Sequence, residues 1–301
     1  MENLDFVRRF RPEWLERPVK ISVLKGGITN VLYLVEDQGK YYKVRIPGKK
    51  TELFLDRDSE VENIRALEPT GVISRLIKYD RATKITIFEY IPGRAAHQED
   101  FMDPEIRKKA VESMKKIHTS NIKLCTEFDV FKEIDRYLKL ARRHGDYMLG
   151  DYPIERFLKV TETIKNEVGK DRSTLVASHN DTLPENFIVA DDGKVYIIDW
   201  EYAGMNDRPF DIANFLVETS GALTQSDEEH VLELYFGKDK EKKRRKVDFY
   251  KFLSDFCWSL WAATQYHVSD LDFDFDKYGR FRFDRTVKYT EMLQDRYSIT
   301  F

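Results

Sequence analysis

The chain has 301 residues, of which 42% are hydrophobic and 34% charged, and a formal net charge of −3 at pH 7. That length can bury a large core as one two-lobed domain or as two domains, and the mildly negative charge excludes a general nucleic-acid binder. Two cysteines, Cys125 and Cys257, make no disulfide framework, and with no leader-like N-terminus and no apolar run long enough to span a bilayer, a cytoplasmic protein without membrane insertion is expected.

Residues 19–24 alternate as a strand, and Gly26-Gly27 interrupts it. Val31 to Val35 is a second strand, Asp37-Gln38-Gly39 a turn, and Tyr41 to Ile46 a third strand stopped by Pro47-Gly48. Alternation along that third strand puts Lys43 and Arg45 on one face. Asp58 to Leu67 reads as a short helix with Val61, Ile64 and Leu67 on one side. Strands return at Ser74 to Tyr79 and Lys84 to Tyr90, and Pro92-Gly93 closes a β-rich half. The remainder is mostly helical. Asp103-Pro104 caps a helix carrying Ile106, Ala110, Val111, Met114 and Ile117. A second follows with Ile154, Phe157, Leu158, Thr161, Ile164 and Val168. Ser226 with Glu229 reads as a capping box before Val231 to Phe236. The charge run Lys238 to Lys246 reads as a solvated link ahead of an aromatic-rich helix from Val247 to His267. On that helix Phe249, Phe252, Leu253, Phe256, Leu260 and Ala263 form one stripe, and Trp258 and Trp261 fall off it. A covering helical layer or a ligand would each account for the pair.

Between these helices lies Ser178-His179-Asn180-Asp181-Thr182-Leu183-Pro184-Glu185-Asn186, followed by Ile198-Asp199-Trp200-Glu201. Phe187 to Val189 and Val195 to Ile198 read as two short strands joined by an Asp-Asp-Gly turn, which brings Asn186 beside Asp199. Phosphoryl transfer needs a carboxylate to hold the attacking hydroxyl and hard oxygen ligands for Mg²⁺. Asp181 suits the first task, Asn186 and Asp199 the second. His179 reads as a packed loop residue, and Asp211 as an acceptor for the loop's backbone. The six histidines show no zinc-ligand spacing.

The block Asp199-Trp200-Glu201-Tyr202-Ala203-Gly204-Met205-Asn206, continuing through Phe210-Asp211-Ile212-Ala213-Asn214-Phe215 to Glu218, resembles the signature of the choline and ethanolamine kinases. These belong to the aminoglycoside-phosphotransferase-like branch of protein-kinase-like folds, and the resemblance runs from about Gly26 to Tyr278. It implies an α+β, two-lobed kinase-like fold, with a nucleotide-binding lobe over residues 1–91 and a catalytic and acceptor-binding lobe over 92–301. Gly26-Gly27-Ile28-Thr29-Asn30, by its residues alone better read as a hairpin turn than as a phosphate loop, is similar to the family's Gly-Gly-x-Thr-Asn stretch. Gly26, Gly27, Thr29 and Asn30 are thereby assigned to ATP. Arg45-Ile46-Pro47-Gly48 resembles the family's Arg-x-x-Gly, which makes Arg45 the phosphate-neutralising cation and Glu60 its helix partner. Backbone groups of Glu89 and Ile91 are expected to take adenine. The Trp258–Trp261 helix looks like the family's tryptophan-pair helix. With Phe273 and Tyr278 it would line the acceptor pocket, to which Glu201 would add a carboxylate near the ammonium group. The implied activity is Mg²⁺- and ATP-dependent phosphorylation of choline to phosphocholine. Ethanolamine kinase is the nearest alternative; an aminoglycoside phosphotransferase and a choline-binding pseudokinase without turnover are more distant. Nothing in the sequence speaks to the oligomeric state.

Overall fold

The computed structural model describes residues 4–24, 30–48, 55–168, 174–269 and 271–299; Gly26, Gly27 and Thr29 lie outside them. A short helix α1 (Glu13–Glu16) precedes strands β1 (Lys20–Leu24), β2 (Asn30–Asp37) and β3 (Lys40–Pro47), helix α2 (Arg57–Leu67), and strands β4 (Leu76–Asp80) and β5 (Ile85–Glu89). The five strands form one antiparallel sheet in the order β1-β2-β3-β5-β4. The turn after Asp37 needs positive φ at Gln38 and Gly39, which glycine supplies without strain at the second position. One face of the sheet packs Tyr33, Val35, Tyr42, Val44 and Ile87 against Val7 and Trp14 in a small separate core. Asp37 is buried at its edge, taking hydrogen bonds from Trp14 Nε1 (3.2 Å) and Arg17 (2.6 Å).

Helix α2 begins one residue before the expected position. The Asp56 carboxylate caps it, accepting from the amides of Asp58 and Ser59. Its inner face carries Val61, Ile64 and Leu67, and the last two join the larger core rather than the small one.

The second half contains β6 (Gly93–Ala95), α3 (Pro104–His118), α4 (Val130–Arg143), α5 (Ile154–Val168), β7 (Val176–Ser178), β8 (Phe187–Ala190), β9 (Val195–Ile197), β10 (Gly204–Asn206), α6 (Arg208–Glu218), α7 (Gln225–Phe236), α8 (Lys240–Val268) and α9 (Phe275–Tyr297). Strands β6, β8 and β9 form a three-stranded antiparallel sheet, and β7 pairs with β10. Every residue from Val247 to Gln265 of α8 is buried, so the helix is an axle packed by α4, α6 and α9 rather than a two-faced surface helix. Its charged residues are matched from neighbouring helices: Lys251 by Glu228 (2.6 Å), and Asp248 by Arg296 (2.7 Å) and the Tyr297 hydroxyl (2.6 Å).

Three expectations change. The run read as a solvated link is helical from Lys240, because its Lys, Glu and Arg residues favour helix and Arg244 is held by Glu229 and Glu241. The capping box of α7 is Thr224 with Asp227, two residues earlier than expected, which leaves Glu229 for Arg244. The expected single apolar stripe on α8 is only part of a surface buried all round. No helix among the described residues is long and apolar enough to cross a membrane.

Candidate active site

The hairpin β8–β9 turns at Gly193 (φ 80°), with Phe187 opposite Ile197 and Val189 opposite Val195. Asn186 directly precedes β8, and its carbonyl accepts the Ile198 amide at 2.8 Å. Asn186 and Asp199 are therefore held at the same end of the hairpin. Asp199 has φ 65°, a left-handed conformation costly for a residue with a Cβ. Its carboxylate stays partly exposed and lies 3.4 Å from Arg45.

The loop before β8 is fixed from beneath. Asp211, on α6, accepts the amides of His179 (2.7 Å) and Asn180 (2.8 Å) and lies 2.9 Å from His118 Nε2. Burial alone would raise the Asp211 carboxyl, but His118 and these amides hold it below the usual carboxylate range. His179 is buried, with Nε2 2.8 Å from the Ile198 carbonyl and Nδ1 3.3 Å from the Asp181 amide. Burial lowers its pKa, so it is a neutral strut whose two ring nitrogens already have partners. Asn180, at φ 69°, is locked by Asn206 and by the Tyr202 carbonyl. Thr182 is held by Asn214 Oδ1 through both its amide (2.6 Å) and its hydroxyl (2.7 Å). The Asn186 Nδ2 donates to the Asp181 carbonyl at 2.8 Å, which leaves Asn186 Oδ1 as its oxygen for another ligand. Asp181 thus sits on a rigid loop, with its own carboxyl pushed well up by burial and then by Glu218, Asp199 and Glu201.

The sheet side of the cleft carries cations. Arg45 makes a bidentate pair with Glu60 at 2.6 and 2.8 Å, both side chains almost fully buried. Arg57 donates to Glu60 at 2.9 Å, to Glu201 at 2.8 Å and to Asn30 at 3.0 Å. It was not singled out from the sequence, where it stands just before the expected helix; here it joins α2, the start of β2 and the segment after Asp199. Glu201, expected beside the acceptor ammonium, accepts from Arg57. Burial first, then Asp199, pushes its carboxyl up to about 7. Lys43 lines the same cleft with Arg45, Glu60, Phe88 and Asp199, and burial brings its ammonium down to about 8. Glu89 and Ile91 follow Phe88 at the end of β5. The Glu89 carbonyl accepts from Ser74 Oγ, and the amides of Glu89 and Tyr90 donate to Arg75 and Tyr41.

The aromatics expected to line the acceptor pocket form one continuous cluster. Tyr202 meets Trp258 edge-on at 4.9 Å, Trp258 meets Trp261 at 6.0 Å, Trp261 meets Tyr278 at 6.1 Å, and Tyr278 meets Phe273 at 5.5 Å. Phe275 packs on Trp261 at 5.7 Å. Tyr202 and Phe275 were missed in the sequence; Tyr202 stands inside the signature block and carried the only available signal. The cluster is backed by charges paired across distant helices. Arg282 lies over the Tyr278 ring at 4.5 Å and donates to Glu218 (2.5 Å) and Asp255 (3.1 Å). Arg285 donates to Asp255 at 2.6 Å.

The sequence profile of the choline/ethanolamine kinase family matches residues 21–287. The chain belongs to the choline/ethanolamine kinase family. Ethanolamine kinase 2 of Mus musculus is 30% identical over 95% of this chain and 80% of its own length. The choline kinase LicA of Streptococcus pneumoniae superposes with a TM-score of 0.80 at 29% identity, covering 95% of this chain and 97% of its own. An aminoglycoside 2′-phosphotransferase-IIIa structure, at 12% identity and a TM-score of 0.68 over 96% of this chain and 100% of its own, shows the shared fold. This family member is a kinase with the two-lobed α+β architecture: a five-stranded N-terminal sheet and a mostly helical C-terminal part.

Proposed function

We propose that the protein phosphorylates choline, with ATP as donor and Mg²⁺ as cofactor. The observation that carries the choline reading is the Tyr202–Trp258–Trp261–Tyr278–Phe273 cluster, whose neighbouring carboxylates Glu218 and Asp255 are already bound by Arg282 and Arg285. A trimethylammonium group is stabilised by aromatic faces and by burial of its methyls. A primary ammonium needs hydrogen-bond acceptors, and these two are taken by guanidinium groups.

In this reading residues 1–91 hold the nucleotide, and Asp181 orients the acceptor hydroxyl and takes its proton. Arg45, held by Glu60, neutralises phosphate charge, and Lys43 adds to it. Arg57 and Glu201 tie the two lobes on the nucleotide side. Gly26, Gly27, Thr29 and Asn30 cradle the phosphates, and the backbone at Glu89 and Ile91 receives adenine. The donor set fits Mg²⁺: Asp199 is an open carboxylate and Asn186 has its amide nitrogen committed and its oxygen remaining. Among the described residues no group of three or more His, Cys, Asp or Glu could hold a metal, which suits an ion completed by phosphates and water. Mg²⁺ held there supplies charge neutralisation on the transferred phosphoryl group. Both cysteines are free, in keeping with a reducing, cytoplasmic setting.

An acceptor screen tests the proposal. Purified protein, ATP and Mg²⁺ are given choline, ethanolamine or an aminoglycoside, and ADP release is followed. The expected result is choline-dependent ADP release that stops on chelation of Mg²⁺; no acceptor-dependent release would leave a binding protein without turnover. The ethanolamine reading is favoured by the names of several relatives, and the same screen separates it.

A further inference from the structure

A second cavity, of about 640 Å³, opens on the far side of the catalytic loop, between α3, α6, α7 and the start of α8. Lys115, Lys123, Arg208, Lys243 and Lys246 line it, against two carboxylates, Asp207 and Asp239. In a chain of net charge −3 this is a local surplus of three positive charges. Both carboxylates are engaged, Asp207 with Lys246 and the Tyr250 hydroxyl and Asp239 with Lys242. Lys115, Lys123, Arg208 and Lys243 form no ion pair among the described residues. These four are exposed side chains on one concave surface, where cations of one sign focus potential on an anion.

The cavity also touches the catalytic loop through two buried side chains. Tyr235 and His118 line it, and the Tyr235 hydroxyl lies 2.5 Å from His118 Nδ1. His118 Nε2 is 2.9 Å from the Asp211 carboxylate, which holds the amides of His179 and Asn180 just before Asp181. We propose that this cavity is a regulatory site for a phosphate-bearing anion, bound by Lys123, Arg208 and Lys243 and sensed by the loop through Tyr235, His118 and Asp211. The site stands apart from the identity of the acceptor.

Inorganic phosphate is titrated into the purified full chain at constant ionic strength by calorimetry, and turnover is measured across the same range. The triple variant Lys123→Ala/Arg208→Ala/Lys243→Ala, its fold checked by circular dichroism, is treated alike. Each lost charge-assisted contact is expected to weaken binding, so the triple variant binds phosphate about tenfold more weakly or worse. A phosphate-dependent change in kcat, with KM for ATP unmoved, is present in the wild type and absent in the triple variant. Tyr235→Phe retains binding and loses the change in kcat. Vesicles of phosphatidylcholine with and without phosphatidic acid form a second arm: binding that needs both the acidic lipid and the three cations identifies a headgroup as the source. Equal phosphate binding by wild type and triple variant, with no cation-dependent vesicle binding, overturns the proposal, as does binding that leaves kcat unchanged.

Discussion

Asp181 owes its properties to where the loop holds it. Burial and then three neighbouring carboxylates push its own carboxyl up, which makes its carboxylate a stronger base than a solvated one; in the proposed reaction it would receive the hydroxyl proton, and a loose phosphoryl-transfer transition state asks for that transfer only late. Asp181→Asn keeps the loop's size and removes the proton acceptor. It should lower turnover by roughly 10²–10⁴-fold with ATP affinity nearly unchanged, measured by separate turnover and nucleotide-binding assays; near wild-type turnover would remove Asp181 from the chemistry. Lys43 offers a pH test. Its ammonium is brought down to about 8 by burial, with Arg45 adding to the effect. In the free protein it is charged below that pH and neutral above. ATP affinity should therefore fall as pH rises through about 8, and Lys43→Arg, which stays charged, should remove that limb. An unchanged limb in the arginine variant would place the titration elsewhere.

The elements differ in how far their sequence foretold them. Asp181, Asn186 and Asp199 lie within nineteen consecutive residues ending in a hairpin, so their juxtaposition follows from local turn chemistry. Arg45 and Glu60 are similarly close in the chain. The charged layer behind the tryptophans is different. Glu218, Asp255, Arg282 and Arg285 come from α6, α8 and α9. Each alone reads as a solvated helix charge, and only the packing of three helices buries them. The pairing of Glu201 with Arg57 is hidden for the same reason: the two are 144 residues apart. Helices α4 and α9 were not read as helices either, while α8 looked two-faced because its second face is covered by residues far along the chain. This layer makes a prediction. Removing one member of a buried ion pair costs about 3–5 kcal/mol. Arg282→Met should lower thermal stability by an amount in that range, softened at Asp255 by Arg285. It should also raise KM for choline, since Tyr278 loses the group stacked on it. A variant as stable as the wild type would show that Glu218 finds another partner.

At the scale of the whole molecule, two apolar cores are joined by polar contacts at the cleft. Arg57 bonds from α2 to Glu201 across it, and Arg45 reaches Asp199 from β3. The buried carboxylates at and near this join and behind the tryptophans have a pH signature. Glu201 titrates near 7 in the folded chain and Asp255 near 6, both raised first by burial, and Asp181 is raised as well. These groups bind protons more tightly folded than unfolded, so the stability they contribute is present at low pH and lost as pH rises toward 7. His179, lowered by burial, acts in the opposite sense. With three carboxylates against one histidine, the ligand-free protein should melt lower at pH 7.5 than at pH 5.5, and Glu201→Gln should flatten the slope. A slope unaffected by Glu201→Gln would contradict the burial of that carboxylate at the join. The central claim, phosphoryl transfer to a quaternary ammonium alcohol held by the tryptophan cluster, is tested most directly by the kcat/KM values for choline and ethanolamine in the wild type and in Trp258→Leu and Trp261→Leu. A desolvated cation–π contact is worth about 2 kcal/mol, and 1.4 kcal/mol is about tenfold. The wild type should prefer choline, and each variant should lose about tenfold or more with choline while losing less with ethanolamine. A wild-type preference for ethanolamine, or equal losses with both acceptors, would contradict the account.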